Sequence, residues 1–375
     1  LVAKFKLFSD SHIHPWTAFA RLTKKGVNTR LTEILEAVGR IIQDAHEESC
    51  DAILFSGDLF HVPKIDAVTM DLTATLLRLS KIPIIMIPGN HDEASKMSRF
   101  HTLRSLHGSA GCVVLDRREG QTTTIAGTKI SGIPYTTNPK RFLDCLRGVY
   151  GSTVVLCHTG FAGATAGFDY IADMKNFVQP GKLGLKDSKI QLLIAGHFHQ
   201  PQLMSPGDGY ESHKVSEIYT PKSYAGGSIL IPGAPVHHNF GDVGSRRGSW
   251  TLSTTDNTLR FVPGVYSEFV RVEFVPGKVN RFVRRIRGNY VACKVSEAVH
   301  VKDVHEILQA EAKGFTLSLE EGDKENAANN RPRLRLEDRQ DRTLTRYIKR
   351  SKPEGHSVKS LLRAGLKLIQ EAEAL

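Results

Sequence analysis

Short apolar runs alternate with helix-period segments through roughly the first 200 residues. The runs are KFKLFS (4–9), AILFS (52–56), IPIIMI (82–87), STVVLC (152–157) and IQLLIA (190–195). Their length and mostly unbroken apolar character predict buried strands. Between the first two, Leu31, Ile34, Leu35, Val38, Ile41, Ile42 and Ala45 recur at helical spacing, with Asn28 placed as an N-cap. Val68, Leu72, Leu76 and Leu77 predict a second helix, and residues 138–148 a third. Residues 122–133 (TTTIAGTKISGI) alternate around a glycine turn and predict a hairpin. This order predicts a layered α/β architecture with a central sheet and helices outside.

From about residue 215 to 275 the pattern becomes β-rich, with GSILIPG (227–233), SWTLST (249–254), LRFVP (259–263) and FVRVEF (269–274). The prediction becomes two facing sheets flanked by helices, extending over residues 1–275. A break at Pro276–Gly277 precedes a small β-α-β unit over 276–320, built from YVACKV (290–295), VKDVHEILQAEA (301–312) and FTLSLE (315–320). Residues 321–340 open with the polar stretch EGDKENAANNRPR and read as a linker. Residues 341–375 hold two amphipathic helices, one carrying Leu344, Tyr347 and Ile348, the other Val358, Leu361, Leu362, Leu366 and Ile369. An apolar stripe beyond a polar linker needs a surface to cover it, either the protein's own body or a partner.

Composition changes this picture little. Apolar residues make up 40% and charged residues 24%, ordinary for a globular chain. No apolar run reaches the roughly 18–20 residues of a membrane helix. The opening LVAKFKLFSDSHIH reads as a buried strand and not as a signal peptide, which predicts a cytoplasmic protein. Cys50, Cys112, Cys145, Cys157 and Cys293 show no CxxC spacing, so neither a disulfide framework nor a structural zinc site is predicted.

Charge is more informative. The net charge of +11 resides in two segments of the C-terminal third. KVNRFVRRIR contains Lys278, Arg281, Arg284, Arg285 and Arg287 and no acid; residues 331–352 carry nine basic and three acidic residues. The remainder is balanced, with 36 of each sign. Two readings remain: a polyanionic partner, or a solvated charged surface.

Candidate chemistry lies at the ends of the predicted strands. Five blocks follow apolar runs directly: Asp10-Ser-His12, Gly57-Asp58, Gly89-Asn90-His91-Asp92, His158 and Gly196-His197-Phe-His199. In layered α/β folds, strand ends border the ligand crevice. A lone DxH or GD is common in loops, but all five in this order supply only hard or borderline metal ligands. Carboxylate, amide and imidazole donors without thiolate suit divalent Mn, Fe, Zn or Ni. Seven ligands are too many for one ion; two ions sharing Asp58 would each receive four, leaving positions for water and phosphate. His237-His238 is read as an exposed loop pair without function.

This motif set resembles the calcineurin-like metallophosphoesterase superfamily over roughly residues 4–250. Within it the chain is most similar to the SbcD-type exonuclease subunits, phage-encoded versions included. The likeness rests on Gly57-Asp58-Leu59-Phe60-His61, and on Pro232-Gly233-Ala234-Pro235 with Phe240-Gly241, similar to a PGSP…FGE segment. His14 stands where the family often has Gly, and Ala234 where it has Ser. The resemblance implies a four-layer metallophosphoesterase fold with a small α/β capping domain and a C-terminal helix pair. It assigns Asp10, His12, Asp58 and His199 to one metal, and Asp58, Asn90, His158 and His197 to the other. His91 would protonate or stabilise the leaving oxygen, Asp92 would orient His91, and His61 would sit near the scissile strand. It also implies two divalent ions, manganese first (Mg, Fe or Zn as alternatives), with 3′-to-5′ exonuclease action on duplex DNA ends and single-strand endonuclease action. A homodimer and a coiled-coil ATPase of the SbcC type docked on the tail complete the expectation; the chain itself has no GxxxxGK[ST] loop. The competing readings are a phosphatase or cyclic-nucleotide phosphodiesterase, and a catalytically dead scaffold.

Overall fold

The computed structural model describes residues 3–94, 100–108, 111–166, 170–172, 177–185, 188–214, 222–254, 257–319, 357–358 and 360–365. Two seven-stranded sheets form its centre. The first runs in space through Lys222–Ser223, Thr258–Pro263, Gly248–Ser253, Lys4–Phe8, Ala52–Phe55, Ile84–Met86 and Cys112–Val114. The second runs through Ser212–Lys214, Gln202–Met204, Ser228–Ile231, Leu192–Gly196, Val154–His158, Thr128–Ile133 and Gln121–Ile125. Helices α1 (Thr29–Glu47) and α2 (Ala67–Leu77) pack outside the first sheet, and α3 (Pro139–Gly148) outside the second. The result is the four-layer α/β arrangement expected.

Strand alternation builds the layers. Phe5, Leu7, Leu54 and Ile85 point inward and meet Leu156, Ile194 and Leu230 of the opposite sheet. Phe8, Ile53, Phe55 and Met86 point outward, into a cluster with Ile34, Val38 and Ile41 of α1. Both faces are therefore covered, which is why these strands lack polar alternation. Register then sets the site. Phe8 pairs with Phe55 and Phe55 with Met86 in parallel, and Gly196 pairs with His158. Parallel strands ending level with one another deliver their following residues to a common edge.

Lys6 is the exception inside this core, fully buried on the strand Lys4–Phe8. Its Nζ lies 2.7 Å from Glu48 Oε1, with the Thr251 hydroxyl at 3.4 Å and Asp44 at 3.8 Å.

A third sheet corrects one boundary. FVRVEF (Phe269–Phe274), expected to finish the main domain, pairs in parallel with Tyr290–Val295, which in turn neighbours Gly314–Leu319. Pro276–Gly277 is the turn between that strand and α4 (Val279–Ile286), the crossover that parallel pairing requires. With α5 (Val301–Glu311) the unit is β-α-β-α-β. It belongs to one compact unit with the large sheets. Tyr290 donates to Glu33 Oε2 of α1 at 2.7 Å, and the Arg30 guanidinium lies 4.9 Å and 4.5 Å from the Phe269 and Tyr290 ring centres.

A second unit comprises Ser296–Ala298 and the chain from Leu319 onward. Within it, residues 358 and 360–365 are helical, and Val358, Leu361 and Leu362 lie on that segment. Leu344, Tyr347, Ile348, Leu366 and Ile369 and the linker at 321–340 lie outside the described residues. Among the described residues no helix is long and apolar enough to cross a membrane. The five cysteines are free thiols, Cys145 alone half-exposed and the rest buried.

Removing Glu48 leaves the buried Lys6 ammonium with only Asp44 at 3.8 Å and the Thr251 hydroxyl. Glu48→Ala should lower unfolding free energy by about 1–2 kcal/mol in chemical denaturation, less than for a fully buried pair. Lys6→Met, which fills the same space without a charge, should cost clearly less.

Candidate metal centre

Three strands of the shared edge, Lys4–Phe8, Ala52–Phe55 and Leu192–Gly196, end in left-handed turns. Asp10 (φ 52°), His12 (φ 45°), Asp58 (φ 58°) and His197 (φ 105°) adopt left-handed backbone conformations that non-glycine residues disfavour. Neighbouring loops hold them there. Asp10 N donates to Gly57 O at 3.0 Å, His12 N to Asp58 O at 3.1 Å, and Ile13 N to Leu59 O at 2.8 Å. His197 N donates to Asp10 Oδ1 at 3.0 Å.

Three glycines let these loops touch. A Cβ on Gly89 would collide with the Asp58 carboxylate, and one on Gly196 with the Ser56 carbonyl and, at 2.7 Å, with His158 Nδ1. Gly57 has φ 93° and faces His158 Nδ1, which a Cβ would approach to 2.5 Å. The Gly preceding Asp58, Asn90 and His197 is thus a packing requirement.

The seven expected ligands converge. His12 Nε2 lies 3.0 Å from His199 Nε2 and 3.7 Å from Asp58 Oδ2. His158 Nε2 lies 3.2 Å from Asp58 Oδ2 and 3.1 Å from Asn90 Oδ1, and His197 Nδ1 is 3.1 Å from the same Asn90 oxygen. Asp10, His12 and His199 form one group able to hold a cation; Asp10, Asp58 and His158 form another. His158 Nδ1 donates to Ser56 O at 2.7 Å, which aims Nε2 at the carboxylates. A third group, His12, His61 and His91, was not foreseen as a ligand set.

The chain matches the calcineurin-like phosphoesterase family over residues 3–201, more than half its length. It belongs to that family. Members use divalent metal ions. Among solved structures it is similar to a dimetal phosphatase from Danio rerio, at 10% identity and a TM-score of 0.41, over 71% of this chain and 99% of that one. It is also similar to a single mutant of Vps29 from Entamoeba histolytica, at 12% identity and a TM-score of 0.28, over 70% of this chain and 99% of that one. At these scores neither likeness bears on function.

The electrostatics of this phosphoesterase fit divalent cations. Burial, with the Asp58 charge acting in the same direction and His158 against it, pushes Asp10 up to about 7. Burial brings His197 down to about 3 and His199 to about 4, and holds His12 well below its ordinary value. Those rings are neutral at pH 7 and offer lone pairs. His158 goes the other way. Burial opposes its charge, but the adjacent Asp58 carboxylate prevails and raises it to about 9.

The roles expected around the ligands divide. His91 and His61 are half-buried and their rings stack 5.0 Å apart. His91 Nδ1 donates to His61 O at 2.7 Å, so the neutral ring carries its lone pair on Nε2. His61 Nδ1 lies 3.3 Å from His12 Nδ1. Asp92 does not orient His91. Its buried carboxylate accepts from the backbone N–H of Gly89 and Asp58 at 2.9 Å, Phe60 at 3.1 Å and Leu59 at 3.3 Å. His14 is half-buried, with its ring 5.4 Å from those of Trp16 and His61.

His237 and His238 were expected in the open; both are buried. His237 bridges Ser245 O and Phe269 N at 2.8 and 3.1 Å. His238 Nε2 donates to Asp10 O at 3.2 Å, with its ring 5.2 Å from His12 and 5.5 Å from His199. Arg30 holds the carbonyls of both histidines, at 3.4 and 3.2 Å. Tyr135, whose ring lies 5.9 Å from those of His158 and His197, belongs to none of the motif blocks and follows the predicted hairpin by one proline.

A cation bound at His158 must displace its proton, and one at Asp10 part of another. Metal affinity should therefore rise as pH rises through 7 toward 9. Calorimetry in buffers of different ionisation enthalpy should show about one to two protons released at pH 7, declining above pH 9. A constant count would refute this charge assignment.

Proposed function

We propose that this chain is a two-metal phosphodiesterase that cleaves DNA, with Asp58 shared between the ions. When bound, such a pair polarises the phosphoryl oxygens and lowers the pKa of the attacking water. The protein's own residues do the rest. Asp10, His12 and His199 present one set of donors, and Asn90, His158 and His197 the other. His91, fixed through Nδ1 and half-open to solvent, presents Nε2, which in the doubly protonated ring would donate a proton toward the leaving oxygen. His61 braces it from one face.

The observation that favours a polyanionic substrate is α4. Phe282 and Ile286 are buried beneath it, while Lys278, Arg281, Arg284, Arg285 and Arg287 are exposed. A cavity of about 640 Å³ lies along it, where Arg271, Lys278, Arg281, Arg284 and Arg285 outnumber its one acid, Glu273. Arg285 and Arg287 pair with Glu268 and Glu311 at 3.0 and 2.7 Å, so Lys278, Arg281 and Arg284 are the stronger candidates for phosphate contact. The family resemblance supports manganese as the native metal, a dimer, and an SbcC-type ATPase on the tail that gates access to the site.

His91→Leu should bind metal and DNA like the parent yet lose about 100-fold or more in cleavage rate; loss of metal would instead make His91 a ligand. Substrate class is decided by incubating the protein and manganese with end-labelled DNA beside p-nitrophenyl phosphate. Cleavage of DNA that weakens with salt supports the nuclease reading. Salt-insensitive turnover of the small ester alone would replace it with a phosphatase.

A further inference from the structure

Among the described residues, two of the three groups able to hold a cation contain carboxylates and belong to the catalytic pair. The third, His12, His61 and His91, consists of imidazoles alone. Each of these offers a ring nitrogen within 4.8 Å of the other two. His12 Nε2 lies on the side of His199 and Asp58. Its other nitrogen, Nδ1, lies 3.3 Å from His61 Nδ1. A tetrahedral zinc ion, with bonds to nitrogen of roughly 2.0–2.1 Å, sets its nitrogen ligands about 3.3 Å apart. His91 uses Nδ1 to donate to His61 O, which leaves Nε2 for an ion.

A hydrogen bond between His12 and His61 would explain their short contact, but not the third ring. The His91 ring stands 4.7 Å from that of His12, at 90°, and 5.0 Å from that of His61, at 19°. Trp16 packs 4.2 Å from the His61 ring, and its Nε1 donates to His12 O at 3.4 Å. Neighbours therefore hold the rings in place before any ion enters. His61 and His91 are half-buried, so an ion can reach them from solvent.

Donor chemistry separates this group from the catalytic pair. Sites with carboxylates suit manganese and magnesium, whereas imidazoles suit zinc, copper and nickel. Manganese is also the weakest binder of the divalent series, and a site without carboxylates gives it least.

We propose that His12, His61 and His91 form a third metal site, which takes zinc in preference to manganese and shuts the enzyme off by occupying His91 Nε2. His12 then bridges two ions, one on each nitrogen. Its Nδ1 proton passes to solvent as zinc binds, and a water completes the tetrahedron. The shut-off rests on the role given to His91 above; the site itself does not.

The test counts metal by elemental analysis after equilibrium dialysis against buffered manganese or buffered zinc. The parent should hold close to two manganese ions but close to three zinc ions. His61→Ala and His91→Leu should keep both manganese ions and stop at two zinc. His61→Cys, which returns a zinc ligand, should regain the third. A parent that stops at two zinc, or a His61→Ala variant that still binds three, would overturn the site. So would loss of manganese from His61→Ala, since His61 would then support the catalytic pair. As zinc rises from two to three equivalents, the parent's cleavage of bis(p-nitrophenyl) phosphate should fall at least about 10-fold. Three bound zinc ions with undiminished cleavage would overturn the shut-off. A parent that binds the third zinc but cleaves neither this diester nor DNA with manganese would overturn the phosphodiesterase reading and leave the site standing.

Discussion

Four backbone N–H groups converge on the buried carboxylate of Asp92, and the metal centre depends on that convergence. Gly89 comes from the turn after one strand; Asp58, Leu59 and Phe60 come from the turn after its neighbour. Buried backbone donors without acceptors are costly. One carboxylate satisfies all four, and so fixes the distance between the turns that carry Asp58, Asn90 and His91. The same clamp lets His91 N donate to Asp58 Oδ1 at 2.8 Å, which aims the carboxylate. Asp92 thus shapes the site without facing it.

Much of this was legible in the chain because it depended on short-range pattern. Doubly covered strands must be apolar on both faces, so the central strands stood out; ligands placed immediately after them had to share an edge. What escaped notice depended on contacts remote in sequence. FVRVEF has the same alternation whichever sheet it joins, and only its partner YVACKV decides. A His-His pair in a loop reads as exposed until Arg30, more than 200 residues earlier, is seen to cap both carbonyls. The function of Asp92 was misread because a carboxylate next to histidine suggests a side-chain pair, whereas the strand-end turns supply better-placed backbone donors.

The charges around the ligands follow from burial without compensation. Asp10, Asp58 and Asp92 lie within one buried cluster, where burial and the Asp58 charge raise the proton affinity of Asp10 and Asp92 while His158 holds Asp58 low. A single imidazolium, His158, offsets them, while the other ligand histidines are kept neutral. The cluster is thus short of positive charge in a region where water cannot supply it. Divalent cations remedy that shortage.

The left-handed conformations at Asp10, His12, Asp58 and His197 have a consequence for ion choice. Each costs on the order of 1–3 kcal/mol, and packing imposes that cost when the chain folds, not when a metal arrives. An entering ion therefore meets a cage with little freedom left to lose and little ability to stretch. Discrimination among divalent ions then falls to radius and coordination preference rather than to any adjustment by the loops. A cation too large for the cage would have to undo backbone geometry that the two sheets hold in place.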